Sequence, residues 1–383
     1  MALRATKSAE PDHPLNGSSD HQILYVSYPL LTVSDQSAGG AEQMLWTLER
    51  EMAKRGARTT VAASAGSQVS GELFITGDPC SASDDFERRN REHQDRVVEF
   101  VRTCAVWGRP FDLVHDQSGS FWPRAAEMDV PVLATLHLPR NFYSAQFFTR
   151  IPENVVFNCV SESQSRSFAE LNPAVVPNGI ALDSFESNPG QRKGLLWLGR
   201  FCEEKAPHLA LEIAARAGQP ITLAGQVYPF SYHQQYFDRE VRPRLAQIPN
   251  AEFVCTPSAE QKRRLLRESR AVLITSLADE TSSLVAMEAA ASGTPVIAYR
   301  RGALPEIVRE GVTGFLVDGA EDAIEALGRI ETIDPADCVT RAEEIFSSDK
   351  MADRYAQLYG EIVAQQARDA VPITGSPDLP ITR

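Results

Sequence analysis

Short apolar runs alternate with helix-like stretches along most of the chain. Such runs, bounded by polar or Gly- and Pro-containing segments, are typical of buried strands. Strands that alternate with helices pair in parallel, so the pattern predicts an α/β fold with doubly wound parallel sheets. In the first half the strand-like runs are 23–29, 58–64, 111–116, 131–137, 155–161 and 174–180, with a helical pattern at 41–56.

A second series of the same kind follows a polar segment, 183–193 (DSFESNPGQRK), which is predicted to be an interdomain linker. Because 383 residues exceed one ordinary α/β core, we expect two domains, 21–185 and 186–345. The polar ends, 1–20 and 370–383, are predicted to be disordered. The second series of strand-like runs is 194–200, 220–225, 251–256, 271–276, 294–300 and 313–318.

The amino-acid composition and net charge argue against several classes of protein. The hydrophobic content of 43% and the charged content of 23% are those of a globular protein. A net charge of −13 argues against a general nucleic-acid surface and against docking on anionic lipid, but it allows a local basic pocket for a phosphate. No stretch is apolar enough for a signal peptide or a membrane span, so a cytoplasmic location is expected. The six cysteines are far apart, which suggests neither a zinc site nor a disulfide framework.

The segment 278–307 carries two glutamates, Glu280 and Glu288, eight positions apart. On spacing alone, an acid near a helix start needs only a structural explanation. The residues around Glu288, however, are apolar or small on nearly every side, which is typical of a buried helix. Buried carboxylates are rare unless they are paired, so we expect Glu288 to contact a specific hydroxyl or cation.

Residues at two predicted helix N-termini would suit a ligand site. Ser282 and Ser283 are N-cap candidates, and free N–H groups at that helix start would suit an anion. Gly39 and Gly40, in SAGGAE, precede the helical pattern 41–56 and would let backbone approach a ligand, although a plain turn explains them equally well. The first crossover has no GxGxxG, so a dinucleotide fingerprint is missing.

Several motifs together resemble the retaining family 4 glycosyltransferases of the GT-B fold, over nearly all of the chain from 22 to 369. Glu280 and Glu288 match the family's E-x7-E signature. The other matching segments are GRFCEEK (199–205), similar to a donor-phosphate motif, VPNGIALDSF (176–185), SAGGAE (37–42) and His137 in TLHLP.

The resemblance implies two Rossmann-like domains facing a central cleft, with a C-terminal helix, 346–369, that crosses back to the N-terminal domain. It implies that Glu288 holds the ribose of a nucleotide and that Glu280 and His137 contact the donor sugar. The N–H groups from Ser282 to Leu284 would face the diphosphate or the sugar.

Arg200 and Lys205 fit the leaving diphosphate of such a donor. Arg200 closes an apolar strand at its carboxyl end, where ligands of open α/β sheets bind, although solvated surface charges are the alternative. His115 is a weaker candidate near the acceptor, and Asn178 and Gly179 more simply form a turn at the domain boundary. The chain has no Asp-x-Asp motif and no metal site or cofactor is expected, so protein cations would neutralise the diphosphate.

The predicted function is a retaining transfer of a hexosyl group from a UDP- or GDP-sugar to an acceptor hydroxyl, without a metal. The alternatives are a non-catalytic sugar-nucleotide-binding module or partner subunit, and an epimerase or hydrolase on the same fold. The sequence departs from the family pattern at Thr281–Ser283 and at Ala206–Pro207, which leaves the donor sugar open. The acceptor is unassigned, and the loops 66–82 and 138–151 are the candidates to bind it. The helix 41–56 has no cationic face that would suit a lipid surface.

Overall fold

The structure is a computed structural model that describes residues 21–37, 39–79, 85–187, 190 and 192–369. The expectations for 1–20 and 370–383 fall outside these residues, as does part of the segment 183–193. In the described part of the chain, no helix is long and apolar enough to cross a membrane.

The first domain contains a seven-stranded sheet in the order β3-β2-β1-β4-β5-β6-β7, with every neighbouring pair parallel. Its strands are β1 (Gln22–Val26), β2 (Arg58–Ser64), β3 (Glu72–Gly77), β4 (Leu113–Asp116), β5 (Val132–Leu136), β6 (Val155–Cys159) and β7 (Ala174–Val175). The helices of this part of the chain are α1 (Gly40–Lys54), α2 (Phe86–Val106) and α3 (Glu162–Ser167).

The second domain repeats this plan with a six-stranded parallel sheet in the order β10-β9-β8-β11-β12-β13. Its strands are β8 (Leu195–Arg200), β9 (Ile221–Gln226), β10 (Ala251–Cys255), β11 (Ala271–Ile274), β12 (Val296–Tyr299) and β13 (Gly314–Val317). The helices are α4 (Pro207–Arg216), α5 (Ser231–Tyr236), α6 (Arg242–Gln247), α7 (Ala259–Glu268), α8 (Leu284–Ala291), α9 (Leu304–Ile307), α10 (Ala320–Arg329) and α11 (Pro335–Ile345).

The strand order confirms the prediction of two Rossmann-like parallel-sheet domains. In each sheet the order reverses next to the first strand, between β1 and β4 and between β8 and β11. Ligands of open α/β sheets bind outside the carboxyl ends of the strands at such a reversal. Ligand sites are therefore expected at the loops after β1 and β4 and at the loops after β8 and β11.

One strand was missed by the sequence pattern. β3 lies within 66–82, which the sequence analysis treated as a loop that would bind an acceptor. It is an edge strand with several exposed side chains, so it lacks the continuous apolar run that marks the buried strands. Residues 72–77 of this segment therefore belong to the sheet and not to a loop.

The last helix, α12 (Ser348–Asp369), packs against the first domain. Its buried side chains join those of β1 and α1 in one apolar cluster. The α12 members of that cluster are Met351, Ala352, Tyr355, Tyr359 and Ile362.

The chain passes between the domains twice, and the two passages are hydrogen-bonded to each other. The Ile180 N–H donates to the Phe346 carbonyl oxygen at 2.7 Å, and the Ser348 N–H donates to the Ile180 carbonyl oxygen at 2.9 Å. The approach is close, because a Cβ added at Gly179 would lie 2.5 Å from the Ser347 carbonyl oxygen. Glycine is therefore required at 179 to let the two passages meet.

We expect Gly179→Ala to destabilise the fold by about 1–3 kcal/mol, because the new methyl group must push two backbone segments apart. Gly360→Ala is the matched control, since Gly360 lies in α12 with no atom near the added Cβ, and it should be neutral or stabilising by up to about 1 kcal/mol. Chemical denaturation of both variants measures the difference. Equal midpoints would contradict the close passage at Gly179.

Candidate active site

The loop after β8 presents Arg200 at the carboxyl end of that strand. Its Nη2 donates to Glu204 Oε1 at 2.8 Å, and its guanidinium carbon lies 5.7 Å from the centre of the Tyr228 ring. The Arg200 Nε is buried and has no hydrogen-bond partner among the described residues. A half-buried, fixed cation with donor capacity to spare suits a phosphate ligand.

Lys205 and Glu280 form the centre of the site. Lys205 Nζ donates to both carboxylate oxygens of Glu280, at 2.6 and 2.8 Å, and the Ser276 hydroxyl also donates to Oε1. The Glu280 side chain is only 8% exposed, so these contacts compensate a buried charge. The pair joins the loop after β8 to the loop after β11.

The backbone of Glu280 holds a third loop. Its carbonyl oxygen accepts from the Ala303 N–H at 2.7 Å, and a Cβ on Gly302, whose φ is +53°, would overlap that backbone. The loop after β12 therefore packs directly on the Glu280 peptide, and Gly302 is needed there both for its dihedral angle and for space.

The helix α8 begins next to this carboxylate. The prediction of an N-cap serine is confirmed for Ser283, whose hydroxyl accepts from the Ala286 N–H. Ser282 is not the cap, and its hydroxyl is buried without a hydrogen-bond partner among the described residues. The start of α8 thus presents backbone N–H groups close to Glu280 in the chain, whereas the buried Ser282 hydroxyl is not available there.

Glu288 has the cation partner that its burial requires. Its Oε1 accepts from Lys262 Nζ of α7 at 2.6 Å, and its side chain is 6% exposed. The expectation that Glu288 contacts a specific hydroxyl or cation is therefore correct, and the partner is the Lys262 cation.

The first domain contributes the start of α1 to the opposite wall. Gly39 is the N-cap residue of α1. A Cβ at this position would overlap the Glu42 carboxylate, so the Glu42 side chain packs directly against the turn. A Cβ at Gly40 would lie 3.6 Å from Leu284 Cδ1 at the start of α8. The two helix starts therefore face each other across the domains, and burial raises the pKa of Glu42 between them.

His137 lies at the carboxyl end of β5, also at the cleft. Its Nε2 is 2.7 Å from Gln117 Oε1, and its carbonyl oxygen accepts from the Thr281 hydroxyl of the second domain at 2.8 Å. Burial lowers the pKa of His137 to about 4, so the imidazole is neutral at physiological pH. Thr281, one of the departures from the family pattern, thus holds the two domains together at His137.

His115 does not line the cleft, so its assignment near an acceptor is wrong. It is fully buried, with Nδ1 2.6 Å from the Tyr359 hydroxyl of α12 and Nε2 2.7 Å from the Thr135 hydroxyl. The contact to Tyr359 joins His115 to α12, which lies more than two hundred positions away in the sequence.

The loop 138–151 is also more structural than the sequence suggested. Tyr143, Phe147 and Phe148 pack on the first-domain core, around Trp122, which leaves Phe142 as the exposed ring of the loop. The aromatic residues expected to stack on an acceptor therefore mostly stack on each other.

Two residues that the sequence analysis missed organise the loop after β4. Asp116 accepts from the N–H groups of four loop residues, and burial raises its pKa to about 6. Gln117 is buried and links His115 to His137. A buried strand that ends in polar residues is the signal that would have indicated both. The four donors are the N–H groups of Ser118, Gly119, Phe121 and Trp122.

Three side chains lie close enough together to hold a metal ion, whereas the sequence analysis expected no metal site. Atoms of Cys202, Glu204 and His233 that could hold an ion lie within 4.8 Å of one another. The sequence pattern could not indicate this cluster, because His233 lies on α5, far along the chain from the loop after β8. The five described cysteines are free thiols.

Two family models match consecutive parts of the chain. "Glycosyltransferase Family 4" matches residues 38–184, and "Glycosyl transferases group 1" matches residues 192–332. Together with the two parallel-sheet domains, these matches show that the chain belongs to the family 4 glycosyltransferases of the GT-B fold.

Individual relatives agree with this membership. A D-inositol 3-phosphate glycosyltransferase of Thermobifida fusca is 29% identical in an alignment 265 residues long, and the match covers 55% of this chain and 59% of that protein. The chain thus spans about three fifths of that relative's length.

Solved structures share the fold at low sequence identity. Sucrose-phosphate synthase of Thermosynechococcus elongatus aligns with a TM-score of 0.74 at 21% identity, over 90% of this chain and 100% of that one. HepE of Anabaena in complex with UDP-glucose aligns with a TM-score of 0.71 at 15% identity, over 89% of this chain and 100% of that one.

The neutral state of His137 can be measured directly. We expect its ring protons to titrate with a pKa of about 4, below the ordinary value of 6.5, because burial disfavours the imidazolium. The unfolded chain then binds more protons than the folded one between these values, so this group's contribution to stability rises as pH increases through that window. Proton NMR gives the pKa, with His137→Gln to assign the resonance. A midpoint near 6.5 would contradict the burial.

Proposed function

We propose that the protein is a retaining glycosyltransferase that moves a hexosyl group from a UDP- or GDP-sugar to an acceptor hydroxyl without a metal ion. The observation that carries the proposal is the position of Arg200, Lys205 and the start of α8. All three lie outside the carboxyl ends of β8 and β11, where the strand order reverses. Two cations and free N–H groups at one such point form a site suited to a diphosphate.

The leaving diphosphate explains the cations. Negative charge grows on it as the glycosidic bond breaks, and fixed positive groups stabilise that charge in the transition state. The Arg200 side chain is partly exposed and fixed by Glu204, and Lys205 is held in place by Glu280. In the proposed reaction these residues do the work that a metal ion does in other transferases.

In our proposal Glu288 and Glu280 bind different parts of the donor. Lys262 occupies Oε1 of Glu288, and in our proposal the ribose hydroxyls donate to its Oε2. Glu280, with Lys205 at its carboxylate, accepts from a hydroxyl of the donor sugar, and His137 contacts the same sugar from the first domain. The UDP-glucose complex of HepE supports a nucleotide sugar as the ligand and favours UDP.

The side chains that could serve as a general base are already hydrogen-bonded to other residues, which supports a retaining reaction. An inverting displacement needs a general base within reach of the acceptor hydroxyl. Lys205 holds the Glu280 carboxylate, and His137 Nε2 contacts Gln117. We therefore assign the acceptor's proton to the departing phosphate, on the face from which the leaving group departs.

Glu288→Gln should weaken binding of UDP or GDP but leave binding of inorganic pyrophosphate unchanged, since only the nucleotides carry a ribose. Isothermal calorimetry with both ligands makes the comparison. Equal affinity of variant and parent for the nucleotides would remove Glu288 from the ribose site. A loss that also appeared with pyrophosphate would mean that Glu288 supports the diphosphate region as a whole.

Arg200→Ala and Lys205→Ala should each lower turnover by about 10²–10³, because a fixed charge matters most when the diphosphate charge is largest. Arg216→Ala is the matched control, since Arg216 pairs with Glu212 and Glu321 at the exposed end of α4. Initial rates at saturating donor measure the effect. Parent-like turnover in both variants, folded by circular dichroism, would disprove the assignment.

The anomeric configuration of the product tests the reaction itself. We expect proton NMR of the fresh product to show the configuration of the donor, with and without EDTA. An inverted signal would contradict the mechanism, and complete loss of activity with EDTA would contradict the metal-free site. Release of free sugar without an acceptor would point to a hydrolase, and donor binding with no turnover would point to a binding module.

A further inference from the structure

His233 has a setting that the proposed transfer reaction does not use. Its side chain is fully buried, yet neither ring nitrogen has a hydrogen-bond partner among the described residues. A buried polar atom without a partner costs about 1–3 kcal/mol, so such a histidine calls for a physical explanation. The rings of Tyr228, Phe230 and Tyr232 surround it, with centroids 4.1–5.8 Å away, and fix its orientation.

The ring faces two further groups that bind metal ions. One of its nitrogens, the Cys202 sulfur and a Glu204 carboxylate oxygen all lie within 4.8 Å of one another. Thiolate, imidazole and carboxylate are the ligands of zinc sites, and three protein ligands leave a fourth tetrahedral position for water. A small contraction of these three side chains would bring each atom to bonding distance from one ion.

We propose that Cys202, Glu204 and His233 form a binding site for a divalent transition-metal ion of the zinc class. The thiolate and imidazole favour such an ion over Mg²⁺ or Ca²⁺, which prefer oxygen ligands. On binding, the Cys202 thiol releases its proton to solvent and the sulfur donates an electron pair to the ion. The thiolate and the Glu204 carboxylate offset the charge of the dication, and Arg200 leaves one positive charge beside them.

The Arg200 guanidinium lies beside the proposed metal site and competes with the ion for Glu204. Arg200 Nη2 donates to Glu204 Oε1 at 2.8 Å, so an ion must share that carboxylate with Arg200. The Glu204 side chain is 26% exposed, whereas Cys202 and His233 are fully buried, and an ion therefore enters from the Glu204 side. The three proposed ligands include neither Lys205 nor Glu280, and they meet the proposed donor site at the Glu204 carboxylate, which pairs with Arg200.

Co²⁺ titration of the reduced, metal-stripped protein tests the site, because Co²⁺ bound to a thiolate gives a near-ultraviolet charge-transfer band and tetrahedral visible bands. We expect these bands at one equivalent, with loss on adding Zn²⁺ and no change on adding Mg²⁺. Cys202→Ser and His233→Gln should each remove the thiolate band or weaken Co²⁺ affinity by at least about 10–100-fold, the range typical even for a lost outer-shell partner.

Two matched variants serve as controls. Cys255→Ser changes an exposed thiol, and His208→Gln changes a histidine whose Nδ1 lies 2.6 Å from the Tyr236 hydroxyl; both should keep the bands. Absence of the bands in the parent protein, or their survival in folded Cys202→Ser, would overturn the proposal. The readout is spectroscopic and uses no sugar substrate, so its failure would leave the proposed transfer reaction untouched.

Discussion

The buried carboxylate of Glu280 is the contact on which the arrangement of the cleft depends. A charge this deeply buried must be compensated, and Lys205 and Ser276 compensate it from two different loops. The backbone of the same residue binds Ala303 and packs on Gly302 of a third loop. One residue thus fixes the ends of β8, β11 and β12 relative to each other, and the position of Lys205 follows from that.

The two domains meet where these loops face the first sheet. Thr281 donates to the His137 carbonyl oxygen, and the Glu306 carboxylate accepts from the Glu162 and Ser163 N–H groups at the start of α3. The hydrogen bonds between residues 180 and 346–348, together with the packing of α12, hold the domains together at a second place. A ligand at the β8 and β11 loops would therefore contact both domains, which suits an enzyme that must bring a donor to an acceptor.

The apolar pattern predicted the architecture because buried parallel strands are continuous apolar runs. It missed β3, an edge strand that is only partly buried. The apolar and small residues around Glu288 indicated a buried, paired acid, but its partner, Lys262, lies on another helix. Likewise, Tyr359 is remote in sequence from His115, and His233 from Cys202. Contacts of this kind depend on how the sheets twist and the helices pack, and no local pattern encodes them.

A crystal structure of the protein with UDP or GDP would show whether a nucleotide-sugar donor binds at the carboxyl ends of β8 and β11. We expect diphosphate oxygens within hydrogen-bonding distance of Arg200, Lys205 or the first N–H groups of α8, and ribose hydroxyls on Glu288. A nucleotide bound at the loops after β1 and β4, with no contact to Arg200 or Glu288, would contradict it.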